Sequence, residues 1–348
     1  MEKVRVGFAG TGFMGQLAHL KNYVEIPECE VVALAEYRPN LGKLVAAKYG
    51  VPKVYTSIDD MLKNEKLDAV VCAQNFTIYD NMLPDIFKTG VAVFTEKPMA
   101  VAPEAGERLV KCAKDNNCIY MVGYHKRSDP AMEYAKKVVD EWKASGEFGD
   151  MRYIRVTMPG GDWVANMDGE LIKTQEPYPP IESEKPVPYF NEKEYADYIS
   201  FINFYIHQVN AVRYFLGEDY KLTFVDNAQR FFSFESNTGV SGIIEMATFI
   251  NTTEWLEKYM VCFEKGYVEV DLPAPLTERY AGRVKVMKDN GNDLPEFITP
   301  ILPRVHAFKH QAENFVKAVK GEIPVKTQPE EAVKDLLIAK DYITMLRK

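Results

Sequence analysis

Short apolar, β-branched runs alternate with longer amphipathic stretches over the first 124 residues of the chain. Apolar positions at period two or in short runs predict strands, whereas apolar positions at helical spacing predict helices. The predicted strands are residues 4–9, 31–35, 69–73, 91–95 and 119–123, and the predicted helices are residues 41–49, 79–88 and 104–116. Strands and helices in this repetition indicate βαβ units, and therefore an α/β domain with a doubly wound parallel sheet.

The pattern changes after a helix whose apolar face carries Ala131, Ala135, Val138 and Trp142 and which ends before Gly146. Strand-like segments then follow one another, at residues 151–157, 223–232, 242–250, 259–263, 267–271 and 283–287. Three helices are predicted beside them, at residues 195–216, 307–320 and 330–346. Successive strands favour a largely antiparallel open sheet, so the C-terminal part is expected to be an α+β domain.

A length of 348 residues suggests two domains. We place them at residues 1–124 for cofactor binding and at residues 125–348 for substrate binding and oligomerisation. The irregular stretch 159–192 is rich in Pro, Glu and Tyr. A loop of this length in a compact enzyme is usually functional or disordered.

Composition excludes several classes of protein. With 47% hydrophobic and 26% charged residues and no long apolar run, the chain is expected to be soluble and cytoplasmic, without a membrane partner. The net charge of −8, without basic clusters among aromatics, argues against nucleic acid. Five cysteines without CxxC spacing indicate reduced thiols, and no metal is expected.

A GxGxxG motif directly follows the first predicted strand and opens a helix. Gly10 permits a tight turn, Gly12 allows close backbone approach to a pyrophosphate, and Gly15 allows close helix–strand packing; Phe13 and Met14 lie between them. The pyrophosphate is expected at the helix N-terminus, where N–H groups and the helix dipole favour an anion. The motif in this context predicts a Rossmann domain that binds a dinucleotide.

Glu36 ends the second predicted strand, 21 residues past Gly15. A carboxylate at this spacing accepts hydrogen bonds from the ribose hydroxyls and repels a 2′-phosphate, which predicts NAD. Arg38 could instead pair with that phosphate, so NADP stays open as the less favoured cofactor. A solvated loop arginine is an equally good interpretation of Arg38.

Three further residues fall at the carboxyl edge of the predicted sheet, where ligands of doubly wound folds bind. Glu96 and Lys97, in the sequence Glu-Lys-Pro, follow the strand 91–95, and Asn75 follows the strand 69–73. We therefore expect Lys97 to lie near the nicotinamide, and we expect Glu96 and Asn75 to bind the cofactor.

The predicted helix 195–216 carries Asn203, His207, Asn210 and Tyr214 at spacings of four, three and four. These spacings place the four side chains on one face, beside an apolar stripe. Taken alone, a histidine here is better explained as a core side chain with satisfied hydrogen bonds.

The ordered set of glycine loop, Glu-Lys-Pro motif and His207 helix, with the run 123–127, resembles the Gfo/Idh/MocA oxidoreductase family over nearly the whole chain. That resemblance implies that Lys97 touches the reacting hydroxyl and that His207 assists proton transfer. It also implies a homodimer or homotetramer. The chain departs from the family where Asn203 and Asn210 replace common aspartates, because an amide orients an imidazole but does not stabilise imidazolium.

The expected function is therefore hydride transfer between NAD(H) and a secondary hydroxyl or ketone of a sugar, glycoside or cyclitol, with C3 of a glycoside as one candidate. The expected substrate-binding residues are Lys126, Arg127, Asp162, Trp163, Asn203 and His207. The alternatives are an inositol dehydrogenase-like or nucleotide-sugar dehydrogenase, a reductase of small carbonyl compounds, and a non-catalytic dinucleotide-binding regulator. The aromatics of the 159–192 stretch could stack on a sugar or aglycone, or form an arm in an oligomer.

Adjacent aromatic residues also bear on assembly. Phe231, Phe232 and Phe234 cannot all point into one core if they lie on a strand, because successive side chains alternate between faces. We therefore expect the exposed face of the second sheet to mediate oligomerisation.

Overall fold

The structure of the chain is a computed structural model that describes residues 2–246 and 253–346. The chain forms two units. Unit 1 consists of Met1–Tyr124, Gly169–Asn203 and Phe308–Leu337, and unit 2 consists of His125–Asp168, Phe204–Ala307 and Ile338–Lys348. Both units therefore draw on segments that are distant in sequence, unlike the contiguous division at residue 124 that the sequence suggests.

Unit 1 contains a parallel six-stranded sheet in the order β3-β2-β1-β4-β5-β6. The strands are β1 (Val4–Ala9), β2 (Cys29–Ala35), β3 (Lys53–Tyr55), β4 (Ala69–Cys72), β5 (Ala92–Glu96) and β6 (Tyr120–Gly123). The direction in which successive strands are added reverses between β1 and β4, which is the point where doubly wound folds bind ligands. The predicted Rossmann fold is confirmed.

Helices connect these strands. The first, α1, starts as a π-helix at Gly15–Leu20 and continues as an α-helix at Lys21–Tyr23. The others in chain order are α2 (Pro39–Tyr49), α3 (Ile58–Asn64), α4 (Tyr79–Phe87) and α5 (Pro103–Asp115). Central strands are buried on both faces because helices cover both sides, as in β1, where the successive residues Phe8 and Ala9 are both fully buried.

Unit 2 is built on an eight-stranded sheet in the order β14-β13-β12-β11-β7-β10-β9-β8. The strands are β7 (Met151–Thr157), β8 (Tyr220–Val225), β9 (Phe231–Ser236), β10 (Ser241–Glu245), β11 (Glu257–Phe263), β12 (Gly266–Leu272), β13 (Arg283–Lys288) and β14 (Glu296–Ile298). Every pairing is antiparallel except that of β7 with β10, which confirms the predicted α+β class.

The remaining helices are α6 (Pro130–Ser145), α7 (Glu192–Phe204), α8 (Ile206–Leu216), α9 (Ala307–Val319) and α10 (Pro329–Leu346). In unit 2, α6 packs on β12 and β13, and its Trp142 stacks on Phe148 with ring centroids 4.2 Å apart. In β9 the side chains of Phe232 and Phe234 are buried while Phe231 lies on the other face, as strand alternation requires.

Two predicted elements are wrong as drawn. The strand predicted at residues 223–232 is a hairpin of β8 and β9, because Asp226 accepts hydrogen bonds from the main chain and guanidinium of Arg230 and closes a turn there. The helix predicted at residues 195–216 is two helices that meet at Tyr205, whose φ and ψ of −95° and −4° interrupt the regular geometry.

The sequence interpretation also misses β3, α3 and β14, which have only three to seven residues each. Of the strand predicted at residues 242–250, β10 covers the first part, and residues 247–250 lie outside the described residues. Within residues 2–246 and 253–346, no helix has the length and apolar character needed to cross a membrane.

Candidate dinucleotide and substrate sites

The glycine loop after β1 has the geometry that its sequence predicts. Gly10 has a φ of +91°, and a Cβ there would lie 2.7 Å from the carbonyl oxygen of Ala73. A Cβ on Gly15 would lie 2.3 Å from the Gly10 oxygen, so only glycine allows α1 to approach the loop this closely. A Cβ on Gly12 would meet no atom within 4 Å, so the loop presents an open backbone surface there.

Glu36, at the carboxyl end of β2, joins this loop. Its carboxylate accepts hydrogen bonds from the Thr11 N–H at 2.9 Å and hydroxyl at 2.7 Å, and from the Arg38 guanidinium at 2.7 and 3.1 Å. Burial alone would raise the pKa of Glu36, but these hydrogen bonds outweigh burial and hold its pKa below the ordinary value. The carboxylate is therefore charged at neutral pH, and it holds Arg38 beside it.

The carboxyl ends of β4 and β5 carry the other predicted cofactor residues. Asn75 is exposed and accepts a hydrogen bond from the Thr77 N–H at 3.1 Å, which caps a short 3₁₀ turn. Glu96 is buried, and its carboxylate lies 2.6 Å from the imidazole of His19. Lys97 extends its ammonium to the carbonyl oxygen of Asn203 at 2.6 Å.

Unit 1 thus brings one set of predicted residues to a single edge of its sheet, since parallel strands end at the same edge. That set is the glycine loop with Phe13 and Met14, Glu36, Arg38, Asn75, Glu96 and Lys97. Asn203 joins it at the end of α7, through its hydrogen bond with Lys97.

His207 lies in unit 2 in the first turn of α8. Its ring is buried and meets the ring of His125 edge to face, with centroids 4.6 Å apart. One turn further along α8, Asn210 accepts a hydrogen bond from Arg127 at 2.7 Å, and the Arg127 guanidinium lies 4.8 Å from the Tyr214 ring. The predicted polar face of His207, Asn210 and Tyr214 therefore exists on α8, whereas Asn203 lies on α7.

A buried carboxylate of β11, Glu257, organises the neighbourhood of Lys126. Both side chains are almost fully buried and form a salt bridge. Glu257 also accepts hydrogen bonds from Gln208 at 2.7 Å, from the Trp255 indole at 3.1 Å and from the Tyr259 hydroxyl. Lys126 and Arg127 are thus held inside unit 2 by protein groups.

The next two predicted substrate residues lie in a turn after β7. Asp162 accepts a hydrogen bond from the Val164 N–H at 3.2 Å, which stabilises that turn. Trp163 beside it is 39% exposed, a high value for so large an apolar side chain. These two residues belong to unit 2 with His207, and their assignment to substrate stays a prediction.

Residues 169–191, which we name the strap, run along unit 1. The Ile172 main chain exchanges two hydrogen bonds with the Gln16 side chain, both 3.0 Å long. The Tyr178 hydroxyl donates to Gln74 at 2.9 Å, and its ring lies 5.2 Å from the Arg38 guanidinium. The strap therefore lies beside Arg38 at the candidate dinucleotide site, whereas the sequence interpretation expected its aromatics to meet a substrate.

Further along, the strap packs beside α4 and α5. Asn81 donates to the Glu182 carbonyl oxygen at 3.1 Å, and Glu184 accepts a hydrogen bond from the Val101 N–H at 3.2 Å. Burial, with the neighbouring charge of Asp80, raises the pKa of Glu184 to about 7. Among the described residues, no cluster of histidine, cysteine or acidic side chains is arranged to hold a metal ion.

The sequence interpretation missed Glu176 and Glu257. Neither belongs to a motif or to a helical or strand periodicity that marks function, and both contact residues more than 100 positions away in sequence. The one local signal for Glu257 is its place at the start of β11, where an acidic residue occupies a position that the alternation of the strand buries.

Comparison with known proteins finds similarity to several proteins named as dehydrogenases. Residues 4–124 match the model of GFO_IDH_MocA, the oxidoreductase family with an NAD-binding Rossmann fold. A myo-inositol 2-dehydrogenase from Thermotoga maritima is 22% identical over 225 residues, which are 65% of this chain and 58% of that protein. A scyllo-inositol 2-dehydrogenase (NAD(+)) from Bacillus subtilis is 27% identical over 154 residues, 44% of each protein. The chain thus spans about half the length of the curated relatives it matches.

A solved structure shares the fold over nearly the full length. This is the scyllo-inositol dehydrogenase from Lactobacillus casei with bound NAD(H) and scyllo-inositol, with a TM-score of 0.70 and 18% identity, covering 99% of this chain and 97% of that one. The family match extends from the start of β1 to the end of the six-stranded sheet, and it agrees with the resemblance in the motifs. Residues 4–124 thus match the NAD-binding Rossmann domain of the Gfo/Idh/MocA oxidoreductase family.

Proposed function

We propose that the protein is an NAD(H)-dependent oxidoreductase that acts on a secondary hydroxyl or the matching ketone of a sugar, glycoside or cyclitol. One observation carries the proposal: the glycine loop, the carboxylate of Glu36 and the ammonium of Lys97 all lie at the carboxyl edge of one parallel sheet. The names of the relatives, inositol dehydrogenases among them, support the class of substrate.

The loop residues fit a dinucleotide. Gly10 and Gly15 occupy positions that a Cβ would block, and Gly12 leaves the loop open where a pyrophosphate would approach. The first turn of α1 adds N–H groups that favour an anion. When bound, the nicotinamide ring supplies the hydride acceptor for oxidation and the hydride donor for reduction.

Lys97 is the proposed proton acceptor. Because it directly follows β5, its ammonium lies at the carboxyl edge, and the hydrogen bond to the Asn203 carbonyl fixes its direction. Oxidation of an alcohol removes a hydride from carbon and a proton from oxygen, and the amine form of Lys97 takes that proton. Reduction returns the proton from the ammonium form.

His207 is proposed as the second proton-handling group, supported by the ring of His125 against it. Its neighbour on the same helix face, Asn210, is neutral and already binds Arg127. With an amide in place of a carboxylate, imidazolium is less favoured, so we expect His207 to orient the hydroxyl more than to carry its proton.

An absorbance assay at the NADH band, with NAD and a panel of inositols, sugars and aryl glucosides, tests the proposal. Lys97→Met is expected to lose about 10²–10⁴ in kcat, because it removes the proton acceptor. Its affinity for NAD should change little, because the glycine loop is intact. The matched control Lys111→Met, an exposed lysine of α5 paired with Asp115, should keep wild-type kcat.

Two outcomes would contradict the proposal. One is a Lys97→Met variant that retains wild-type kcat on the best substrate. The other is a wild-type protein that binds NAD but reduces it with no member of the panel, which would favour a regulator. The proposal that the substrate is a glycoside has its own test. Two results together would count against it: an aryl glucoside whose kcat/KM does not exceed that of the free sugars and inositols, and a Trp163→Ala variant with unchanged kcat/KM.

A further inference from the structure

The first turn of α2 begins at Pro39, three residues past Glu36, and the strap occupies its main-chain donors. Pro39 opens the helix and has no N–H. The next two N–H groups, of Asn40 and Leu41, have no partners within the helix and both donate to the Glu176 carboxylate at 2.9 Å. One strap carboxylate therefore fills the anion-binding positions at this helix end.

Glu176 is charged in this position. Its pKa is held below the ordinary value mainly by the hydrogen bond from the Asn40 N–H, and further by those from the Leu41 N–H and the Thr174 hydroxyl. Thr174, also in the strap, donates to the carboxylate at 2.9 Å. The carboxylate thus sits at the α2 N-terminus with its negative charge intact.

Arg38, the other donor nearby, is also occupied. Its guanidinium makes two hydrogen bonds to Glu36, and one of its faces is covered by the Tyr178 ring of the strap at 5.2 Å. A ribose whose hydroxyls bind Glu36 would place any 2′-substituent beside Arg38 and the start of α2. A phosphate there would need the Arg38 guanidinium and the α2 N–H groups, which already donate to Glu36 and Glu176, and the two carboxylates would repel it.

We propose that Glu176 is a specificity-determining residue, an internal carboxylate that takes the place of a 2′-phosphate and makes the dinucleotide site select NAD against NADP. Tyr178 supports it by holding the strap on Arg38. The inference rests on the proposed function only in taking a dinucleotide as the ligand. In the sequence interpretation, Glu36 alone selects NAD against NADP. The inference adds Glu176, a second carboxylate that is distant in sequence.

Calorimetric titration of the full-length protein with NAD and with NADP tests the inference without turnover. Glu176→Ala frees both N–H groups and removes the charge, so the ratio of Kd for NADP to Kd for NAD should fall at least about tenfold, the scale of one close like-charge contact. Glu176→Gln keeps an acceptor but loses the charge, and its ratio should fall less. Glu182→Gln removes the charge of an exposed strap residue away from α2, and should leave the ratio within about twofold of wild type.

The ratio of the two Kd values is the readout, because loosening of the strap would weaken the binding of both cofactors together. A Glu176→Ala ratio that moves no further than that of Glu182→Gln would overturn the inference, as would a wild-type protein that binds NADP more tightly than NAD. If Glu176→Ala binds neither cofactor, the Glu176→Gln ratio decides by the same criterion. A protein that shows the predicted ratios but oxidises no sugar or cyclitol would contradict the proposed function and leave this inference standing.

Discussion

Replacing Glu257 with alanine should destabilise unit 2 strongly. The carboxylate is fully buried and is the acceptor for the almost fully buried ammonium of Lys126, for Gln208, for the Trp255 indole and for the Tyr259 hydroxyl. Removing one partner of a buried ion pair leaves an uncompensated charge and costs about 3–5 kcal/mol. A loss of ~4 kcal/mol in the free energy of unfolding would lower Tm by roughly 10 °C in a unit of this size.

The pair itself is expected to contribute much less than this loss. Adding Lys126→Met to Glu257→Ala removes the stranded cation, and should restore about 2 kcal/mol of the free energy of unfolding. The control is Glu141→Ala, which breaks an exposed pair with Lys137 on α6 and should cost less than about 0.5 kcal/mol.

Tryptophan fluorescence during guanidinium denaturation measures these effects in the right unit, because Trp142, Trp163 and Trp255 all belong to unit 2. A Glu257→Ala loss below about 1 kcal/mol would refute the buried network as described. So would strict additivity of the two substitutions, since groups in direct contact should couple.

Four further predictions follow from single features of the structure. Burial raises the pKa of Asp129 to about 6 from 3.8, so its contribution to stability is present below pH 4 and is lost as the pH rises through 6. In thermal melts, Asp129→Asn should therefore be more stable than wild type by about 2–3 kcal/mol in free energy of unfolding at pH 8, and by almost nothing at pH 4. An equal difference at both pH values would contradict this. Burial raises the pKa of Glu184 to about 7 from 4.5, so its contribution to holding the strap is lost as the pH rises from 4.5 through 7. Wild type should therefore be cut by trypsin within the strap faster than Glu184→Gln at pH 8.5, and the ratio of the two rates should be about tenfold smaller at pH 6; an equal ratio at both pH values would contradict this. Gly15→Ala should lower stability by about 1–3 kcal/mol and weaken NAD binding, because its Cβ would collide with the Gly10 oxygen, whereas Gly160→Ala, which meets open space, should be neutral in a thermal shift assay. Light scattering at micromolar concentration should give a dimer or tetramer, and a monomer alone would remove the expected oligomer.

Unit 1 was largely predictable because local patterns determine most of it. Its strands of four or more residues are mostly apolar runs, and α2 ends at Gly50 in left-handed conformation. What was missed there, β3 and α3, is too short for a period to be recognised.

In unit 2 the errors came from turns inside apolar stretches. The residues from Asp226 to Arg230 form a turn, although Phe224 and Phe231 on either side continue an apolar strand-like run. Likewise Tyr205 interrupts a helical pattern that keeps its apolar stripe on both sides. In both places hydrophobic pattern outweighed the local signal, and only the main-chain geometry reveals the break.

The candidate site, too, could be predicted where its residues follow strands and could not where they depend on distant contacts. The glycine loop, Glu36 and Lys97 follow predicted strands directly, so their place at the carboxyl edge could be deduced from the sequence. The strap has no period, and its contacts with α2 and Arg38 join residues about 135 positions apart, as between Leu41 and Glu176. Such contacts depend on tertiary packing, which explains why the sequence did not predict the contacts of Tyr178 with Arg38 and Gln74.

The fate of a single hydrogen tests the central claim most directly. With NAD and an inositol or sugar deuterated at its ring carbons, the account predicts that deuterium from the oxidised carbon appears at C4 of the nicotinamide in NADH, detected by mass spectrometry and NMR. Lys97→Met should form the labelled NADH at least about 10²-fold more slowly. NADH that carries no deuterium while the substrate is oxidised, or no NADH with any deuterated member of the panel, would contradict the account.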